Sequence, residues 1–405
     1  MKDALHWIRF QQLFGYGSAR SEQVLACYGH PGMLFDSDLQ RLSSDGILTR
    51  KELLKLSAST SGAAQELYDH CQRLGVTILT PGGHGYPKRL EHIYARPTVL
   101  YAEGQLGDID DLPAIGMVGT RSFTEYGRQV ADTLSKELAS CGFVVVSGMA
   151  QGIDTICHAG ALKAGGRTIA VTGSGADFVY PAGNRELKRL ILKSGAVISE
   201  YPPGTAPMPA YFPVRNRIIS GISLGVVVVE GRRRSGSLIT AGHALTQGRD
   251  VFSVPGSIFS PESEGTHWLL RQGAIPATSA LDIIEEYLPL YYEKLNNELL
   301  SQLRSAAAPK PKAANKAKNE VQTFPQQETL SGTPAAPGDV SARTIPITLS
   351  AAQRTVLEGL GREKRSVDEL ANTLELPVKE ILSALTQLEI YGLIEAHPGR
   401  CFSAL

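Results

Sequence analysis

The chain has 405 residues, with 40 lysines and arginines against 40 aspartates and glutamates. That length suits two or three domains with ordinary cores, and the neutral balance excludes wholesale electrostatic capture of a polyanion while leaving room for a local basic groove. Five scattered cysteines without a C-x-x-C pair suggest neither a disulfide framework nor a zinc site, so no metal is expected.

The N-terminal "MKDALHWIRFQQLF" is broken by charge before a signal-peptide core could form, and no apolar run approaches a membrane span. A cytoplasmic protein without membrane contact is expected. Residues 1–75 alternate helical patterns with glycine turns and almost lack β-branched runs, which reads as a small helical module. From Pro81 to about Leu288, short apolar strands ("AIGMVG", "FVVVSG", "TIAVTG", "AVISE", "GVVVVEG", "DVFSVPG") alternate with helical spacing. That texture predicts an α/β core, residues 76–290, built on a parallel sheet covered on both faces. After Gln302 the Ala/Pro/Lys/Gln/Ser-rich stretch cannot bury enough surface to stay ordered, and a flexible linker is expected over 291–345. Order returns over 346–405 as helices followed by a β-hairpin. There the third helix would present Lys379, Ser383 and Gln387 on a polar face, a pattern equally suited to a DNA-reading helix with its wing or to a partner-docking domain.

Binding chemistry in a parallel sheet collects at the carboxyl ends of its strands. "VGTR" places Gly119, Thr120 and Arg121 at one such end, where a guanidinium can meet phosphate beside helix amides. "VVVSGMAQGID" brings Ser147, Gly148 and Gly152 to the next, with Asp154 as a helix cap and His158 steadying the glycine loop. "TGSGAD" supplies Gly173, and "YPAGNRELKRL" supplies Asn184 and Arg185, the latter chosen over Lys188 and Arg189. "FPVRNR" contributes Arg215, Asn216 and Arg217 before one strand, and "SGSLIT" contributes Ser235, Gly236, Ser237 and Thr240 behind it. No G-x-G-x-x-G follows a strand, which removes the support for a dinucleotide cofactor. "GRRRSGSL" carries Ser237 where a P-loop needs lysine, so triphosphate hydrolysis is not expected. "GISLG" lacks the strand that a hydrolase elbow needs before its serine.

As an ordered series, these motifs together with "YPKRLEHIYARPTVLYAEG", "ISEYPPG" and "SGSLITAGHALTQGRDVFSVPGSI" closely resemble the DNA-processing protein A (DprA/Smf) family. The resemblance spans roughly Gly75 to Ile283. It implies an extended Rossmann-like domain that binds single-stranded DNA without catalysis, forms a homodimer and loads RecA recombinase during natural transformation. It also implies a sterile-alpha-motif-like or helix-hairpin-helix domain before the core and a winged-helix domain after it. By the same resemblance Arg121 and Arg185 touch DNA phosphate. "VEG" in place of the usual "VEA", and Thr266-His267 in place of a Cys-Asn or Thr-Asn pair, are departures from the family pattern. The alternative is a lysine-decarboxylase-like phosphoribohydrolase, but its PGG-x-G-T-x-x-E signature is not reproduced by "PGGHGYPKR".

Overall fold

The computed structural model describes residues 1–307 and, towards the C-terminus, 351–361, 365–374, 376, 380–381, 384–385, 388, 393–397 and 401–404. Six helices come first: α1 (Lys2–Phe14), α2 (Ala19–Tyr28), α3 (Pro31–Phe35), α4 (Leu39–Ser44), α5 (Arg50–Ala58) and α6 (Ser61–Leu74). Trp7, Phe10 and Leu13 recur at helical spacing on α1 and are buried with Val24, Leu34 and Leu42. Thr49 and Glu52 start α5 with a reciprocal capping box.

A nine-stranded sheet follows, made of β1 (Thr77–Leu79), β2 (Leu100–Gly104), β3 (Ala114–Val118), β4 (Val144–Ser147), β5 (Thr168–Thr172), β6 (Ala196–Ser199), β7 (Gly225–Val228), β8 (Asp250–Ser253) and β9 (Ile275–Pro276). Its order is β1-β2-β6-β5-β4-β3-β7-β8-β9. Every pairing from β6 to β9 is parallel, whereas β2 runs antiparallel to both β1 and β6. The helices between and after the strands are α7 (Glu125–Ser140), α8 (Ile153–Lys163), α9 (Arg185–Ser194), α10 (Tyr211–Ile222), α11 (Gly236–Thr246), α12 (Glu264–Arg271), α13 (Ala280–Tyr291) and α14 (Asn297–Ala307).

The two-residue period of the strands splits the core. Val144 and Val146 pack with Ile219 of α10 and Ala241 of α11 on one face, while Val145 packs with Leu134 of α7 and Ile283 of α13 on the other. With both faces covered, the strands are continuous apolar runs, which is why they stand out in the sequence. The strands β4, β5 and β6 step away from β3 on one side, and α10 then carries the chain back across to set β7 on the other. A crevice opens beyond β3 and β7, where the connections diverge.

Two expectations about domain limits change. Helices α1–α6 form, but their core is continuous with the sheet: Val99 and Tyr101 belong to the same apolar cluster as Trp7 and Phe10. Gln11 donates to the carbonyls of Val99 (3.3 Å) and Glu200 (3.1 Å), and the Tyr101 hydroxyl donates to Gln11 Oε1 (2.9 Å). Met1–Ala313 is accordingly one compact unit, and residue 75 marks a change of texture only. The linker expected from 291 also starts too early. Tyr292–Lys294 makes a 3-10 turn, and Leu299, Leu300 and Leu303 at helical spacing hold α14 against the α13 face, with Leu300 buried. Residues 308–345 lie outside the described residues.

The second unit, Ala314–Leu405, contains α15 (Ala351–Leu360), α16 (Val367–Leu374) and a three-stranded sheet, β10 (Arg365–Ser366), β11 (Ile394–His397) and β12 (Cys401–Ala404), in the order β10-β12-β11. Val356, Leu360, Leu370, Ile381 and Leu388 form its core. Lys379, Ser383 and Gln387 lie outside the described residues.

Candidate nucleic-acid interface

Beyond the carboxyl ends of β3 and β7 lies a cleft of about 400 Å³. Gly119, Thr120 and Arg121 line it, as do Ser235, Gly236, Ser237 and Thr240. Asn216, Arg215 and Asp154 contribute to the floor. Ten of the residues singled out from sequence are thus brought together, although they come from four separate segments.

Arg121 is exposed at the rim and makes no ion pair or side-chain hydrogen bond among the described residues; its guanidinium lies 5.6 Å from the centre of the Phe212 ring. The start of α11 lines the same cleft. No side chain caps that helix, and the Ser235 and Ser237 hydroxyls bond each other at 2.7 Å beside its first amides. A helix start of this kind carries partial positive charge and free donors, the ordinary requirements for an anion.

Two other helix starts at this edge, those of α7 and α8, are engaged by the protein itself. Glu230, just after β7, accepts from the Thr124 amide (3.0 Å) and from the Thr124 hydroxyl, which caps the Gly127 amide of α7. The Ile153 amide of α8 donates to the Thr120 carbonyl at 3.2 Å. Gly152 makes that approach possible: its φ is +97°, and a Cβ there would sit 2.4 Å from the Thr120 oxygen. The amide ends of α7 and α8 are thus engaged within the protein, whereas the start of α11 has no side-chain cap among the described residues.

Several expected contact residues are structural. The Ser147 hydroxyl donates to Met117 O at 2.6 Å inside the sheet, and neither it nor Gly148 lines the cleft. Gly173 is buried under Phe212, where a Cβ would come within 3.1 Å of the ring. Asn184 turns inward, donating to Met149 O and Thr155 Oγ1 at 2.9 Å each. Arg215 is 3 % exposed and spends its donors on the Gly148 carbonyl (2.8 Å), the Val171 carbonyl and Asn216 Oδ1. Burial lowers its pKa to about 10, with the nearby Asp154 charge opposing. Burial likewise raises the Asp154 carboxyl above its ordinary value, against the pull of Arg215 and the Ala150 and Gly148 amides.

Arg217 is nowhere near the cleft. On α10 it lies two residues, about 200°, around from Arg215 and so faces the other way. It grips both oxygens of Glu200 at 2.8 Å and donates to the Ala95 and Val214 carbonyls. Glu200 in turn accepts from the Gly17 amide at 3.0 Å, so this pair ties the α1–α2 turn to the sheet.

His158 is also corrected. It does not steady the glycine loop; its Nδ1 meets Thr168 Oγ1 at 2.6 Å, and that hydroxyl donates to Val145 O. The Nδ1 atom must then carry the proton, and the Nε2 lone pair is buried without a partner. Burial, and secondarily Arg215, push the imidazole down to about 3.

Among the basic residues of "NRELKRL", Lys188 is buried, donating to Ala176 O and pairing with Glu103 (2.7 Å each), and Arg189 is bound to Glu186. Arg185 alone of these is exposed and without a partner among the described residues, at the first turn of α9, but it does not line the cleft. In the arginine tip, Arg232 pairs with Glu262 and Arg233 stacks over Trp268, with 4.5 Å to the ring centre.

The sequence reading missed the aromatic part of the site. Phe212 and Tyr180 line the cleft with ring centres 5.6 Å apart, and Pro207, Pro209 and Pro213 stiffen its lip. The signal was available in "FVYPAGN" and "PAYFPVRN", where rings flank prolines beside helix starts.

Fold and cleft together define a Rossmann-like α/β protein with a crevice at its topological switch point. The family model described as DNA recombination-mediator protein A matches residues 77–288, and that of the DprA winged helix domain matches 340–400. The chain belongs to the DNA recombination-mediator protein A family. It is 48% identical over 212 residues to the DNA processing protein DprA of Bacillus subtilis, covering 52% of this chain and 71% of that one. It is 34% identical over 340 residues to Protein Smf of Synechocystis, covering 83% and 81%. The X-ray structure of DprA from Streptococcus pneumoniae superposes with a TM-score of 0.60 at 34% identity, over 69% of this chain and 95% of that chain.

Proposed function

We propose that the cleft receives the backbone of single-stranded DNA and that the protein acts by binding, not by catalysis. In this reading it works in the cytoplasm as a homodimer that shields incoming DNA and passes it to a RecA-type recombinase during natural transformation. The observation that carries the reading is that the Arg121 guanidinium, unpaired among the described residues, and the uncapped start of α11 line one cleft together with an aromatic ring. A guanidinium and helix amides satisfy phosphate, and rings stack on bases of any sequence. Arg185, exposed at the start of α9, would meet a phosphate further along.

The lining favours this over phosphoribosyl hydrolysis. Its serine and threonine hydroxyls bond one another or backbone oxygens, as Ser235 does Ser237 and Thr240 does Gly236 O, and among the described residues none is paired with a base. Among the described residues no helix is long and apolar enough to cross a membrane. The test is fluorescence anisotropy of labelled oligothymidine with the full chain across a salt series, beside a nucleoside-monophosphate hydrolysis assay. Salt-sensitive binding with little base preference is expected. Release of free base with turnover, and no oligothymidine binding, would replace this reading with the enzymatic one.

A further inference from the structure

The cleft is one end of a longer aromatic surface. Phe212 and Tyr180 lie within it, and Tyr211, the neighbour of Phe212 at the start of α10, projects about 100° further around the helix. There Tyr211 stacks on Tyr201, ring centres 4.1 Å apart and nearly parallel. Tyr201 meets Tyr16 at 4.8 Å, and Tyr16 also stands edge-on to Tyr211 at 6.5 Å. Tyr16 belongs to the Gly15–Gly17 turn between α1 and α2, far from the cleft in sequence.

Packing alone would bury these rings, and only Tyr201 is buried. Tyr16 is 36% exposed and Tyr180 41%, and Tyr211 is half-buried. The hydroxyls of Tyr16, Tyr180 and Tyr211 make no hydrogen bond among the described residues. Buried tyrosine hydroxyls ordinarily find a partner, while rings with a wet edge and a free face suit a surface that meets bases. The turn bearing Tyr16 is also held in place: the Gly17 amide donates to Glu200, which Arg217 clamps from the other side. A Cβ at Gly17 would lie 2.5 Å from Val214, so the turn sits directly on α10.

We propose that single-stranded DNA leaving the cleft continues around the start of α10 and stacks a base on the Tyr16–Tyr211 surface, so that the N-terminal helical segment forms part of the binding track. The inference rests on the reading of the cleft as a single-strand site. Its occupant is fixed by continuity, because Phe212 inside and Tyr211 outside are consecutive residues on one helix end. The polar, sequence-tolerant character of the surface suits a base and leaves the phosphates to Arg121 and solvent counterions.

The test compares a short with a long oligothymidine, of about 5 and about 16 nucleotides, the span of site sizes seen for single-strand grooves. Full-length wild type is measured by anisotropy beside Tyr16→Leu, which keeps apolar bulk without the ring, and Tyr16→Phe, which keeps the ring. Tyr16→Leu should lose at least about five-fold affinity for the long oligonucleotide, the lower bound for one lost base–ring stack, and nothing for the short one. Tyr16→Phe should match wild type for both. Long oligonucleotides carrying 5-iododeoxyuridine near one end should photocrosslink to the peptide that contains Tyr16. If wild type binds the long strand in an Arg121-dependent way while Tyr16→Leu is unaffected and no such crosslink forms, this inference fails and the cleft reading stands. If wild type binds neither strand, both fall.

Discussion

Replacing Arg121 by alanine isolates the charge that the cleft offers. The side chain is exposed and makes no ion pair or side-chain hydrogen bond among the described residues, so its loss leaves none of their buried groups unpaired, and folding stability should stay within about 0.5 kcal/mol of wild type. A hydrogen bond to a charged group contributes about 1.5–3 kcal/mol. The lower figure applies at an open rim, where ions screen, and 1.5 kcal/mol is roughly twelve-fold in affinity. Each single-strand phosphate contact adds about 0.7 to the slope of log affinity against log salt. Losing one contact should therefore flatten that slope by about 0.7, and a fourfold rise in salt should shrink the wild-type advantage about 2.6-fold. Anisotropy with oligothymidine at four salt concentrations reads both quantities, and thermal melts supply the control. A variant with unchanged affinity and slope, or one whose affinity falls only together with its melting temperature, would refute the assignment of Arg121 to phosphate.

Arg217→Ala should behave in the opposite way, costing about 3–5 kcal/mol in urea melts because Glu200 is left buried and uncompensated, while oligothymidine affinity measured under folded conditions stays near wild type. Gly152→Ala, at φ +97° and against the Thr120 carbonyl, should displace the turn that carries Arg121; reduced oligothymidine affinity with the α/β circular-dichroism signature retained is the expected result. The imidazole of His158, with a folded pKa of about 3 against 6.5, binds fewer protons folded than unfolded. Its contribution to stability is complete above about pH 6.5 and falls by about 1.4 kcal/mol per unit as the pH drops from there towards 3. The His158 ring proton shift in NMR should be flat from pH 8 to about 4.5, and a midpoint near 6 would contradict the buried neutral tautomer.

The strands and their faces were legible because a sheet buried on both sides needs uninterrupted apolar runs such as "VVVS" and "GVVVV". The walls of the cleft were legible for a related reason: residues just past strand ends must gather at the switch point whatever their side chains. What the sequence concealed was the use of polar groups. Arg215 and Arg217 look alike on paper, yet their partners, Gly148 and Glu200, lie 67 and 17 residues away and take opposite faces of α10. The closed starts of α7 and α8 depend on Glu230 and on the Thr120 carbonyl, contacts between distant segments that no local pattern announces. Phe212 and Tyr180 were passed over because a ring beside a proline reads equally as a stiff turn.

The Glu200 carboxylate occupies the place on the Gly15–Gly17 turn where an outside anion would otherwise sit. Trimming the chain at Gly75 would strip the cover from Tyr101 and leave Arg217 clasping an acid open to water on one side. Such a fragment would carry an uncovered apolar sheet face, and its aggregation would be mistaken for weak nucleic-acid affinity. Binding work on the sheet therefore belongs on polypeptides that keep α1.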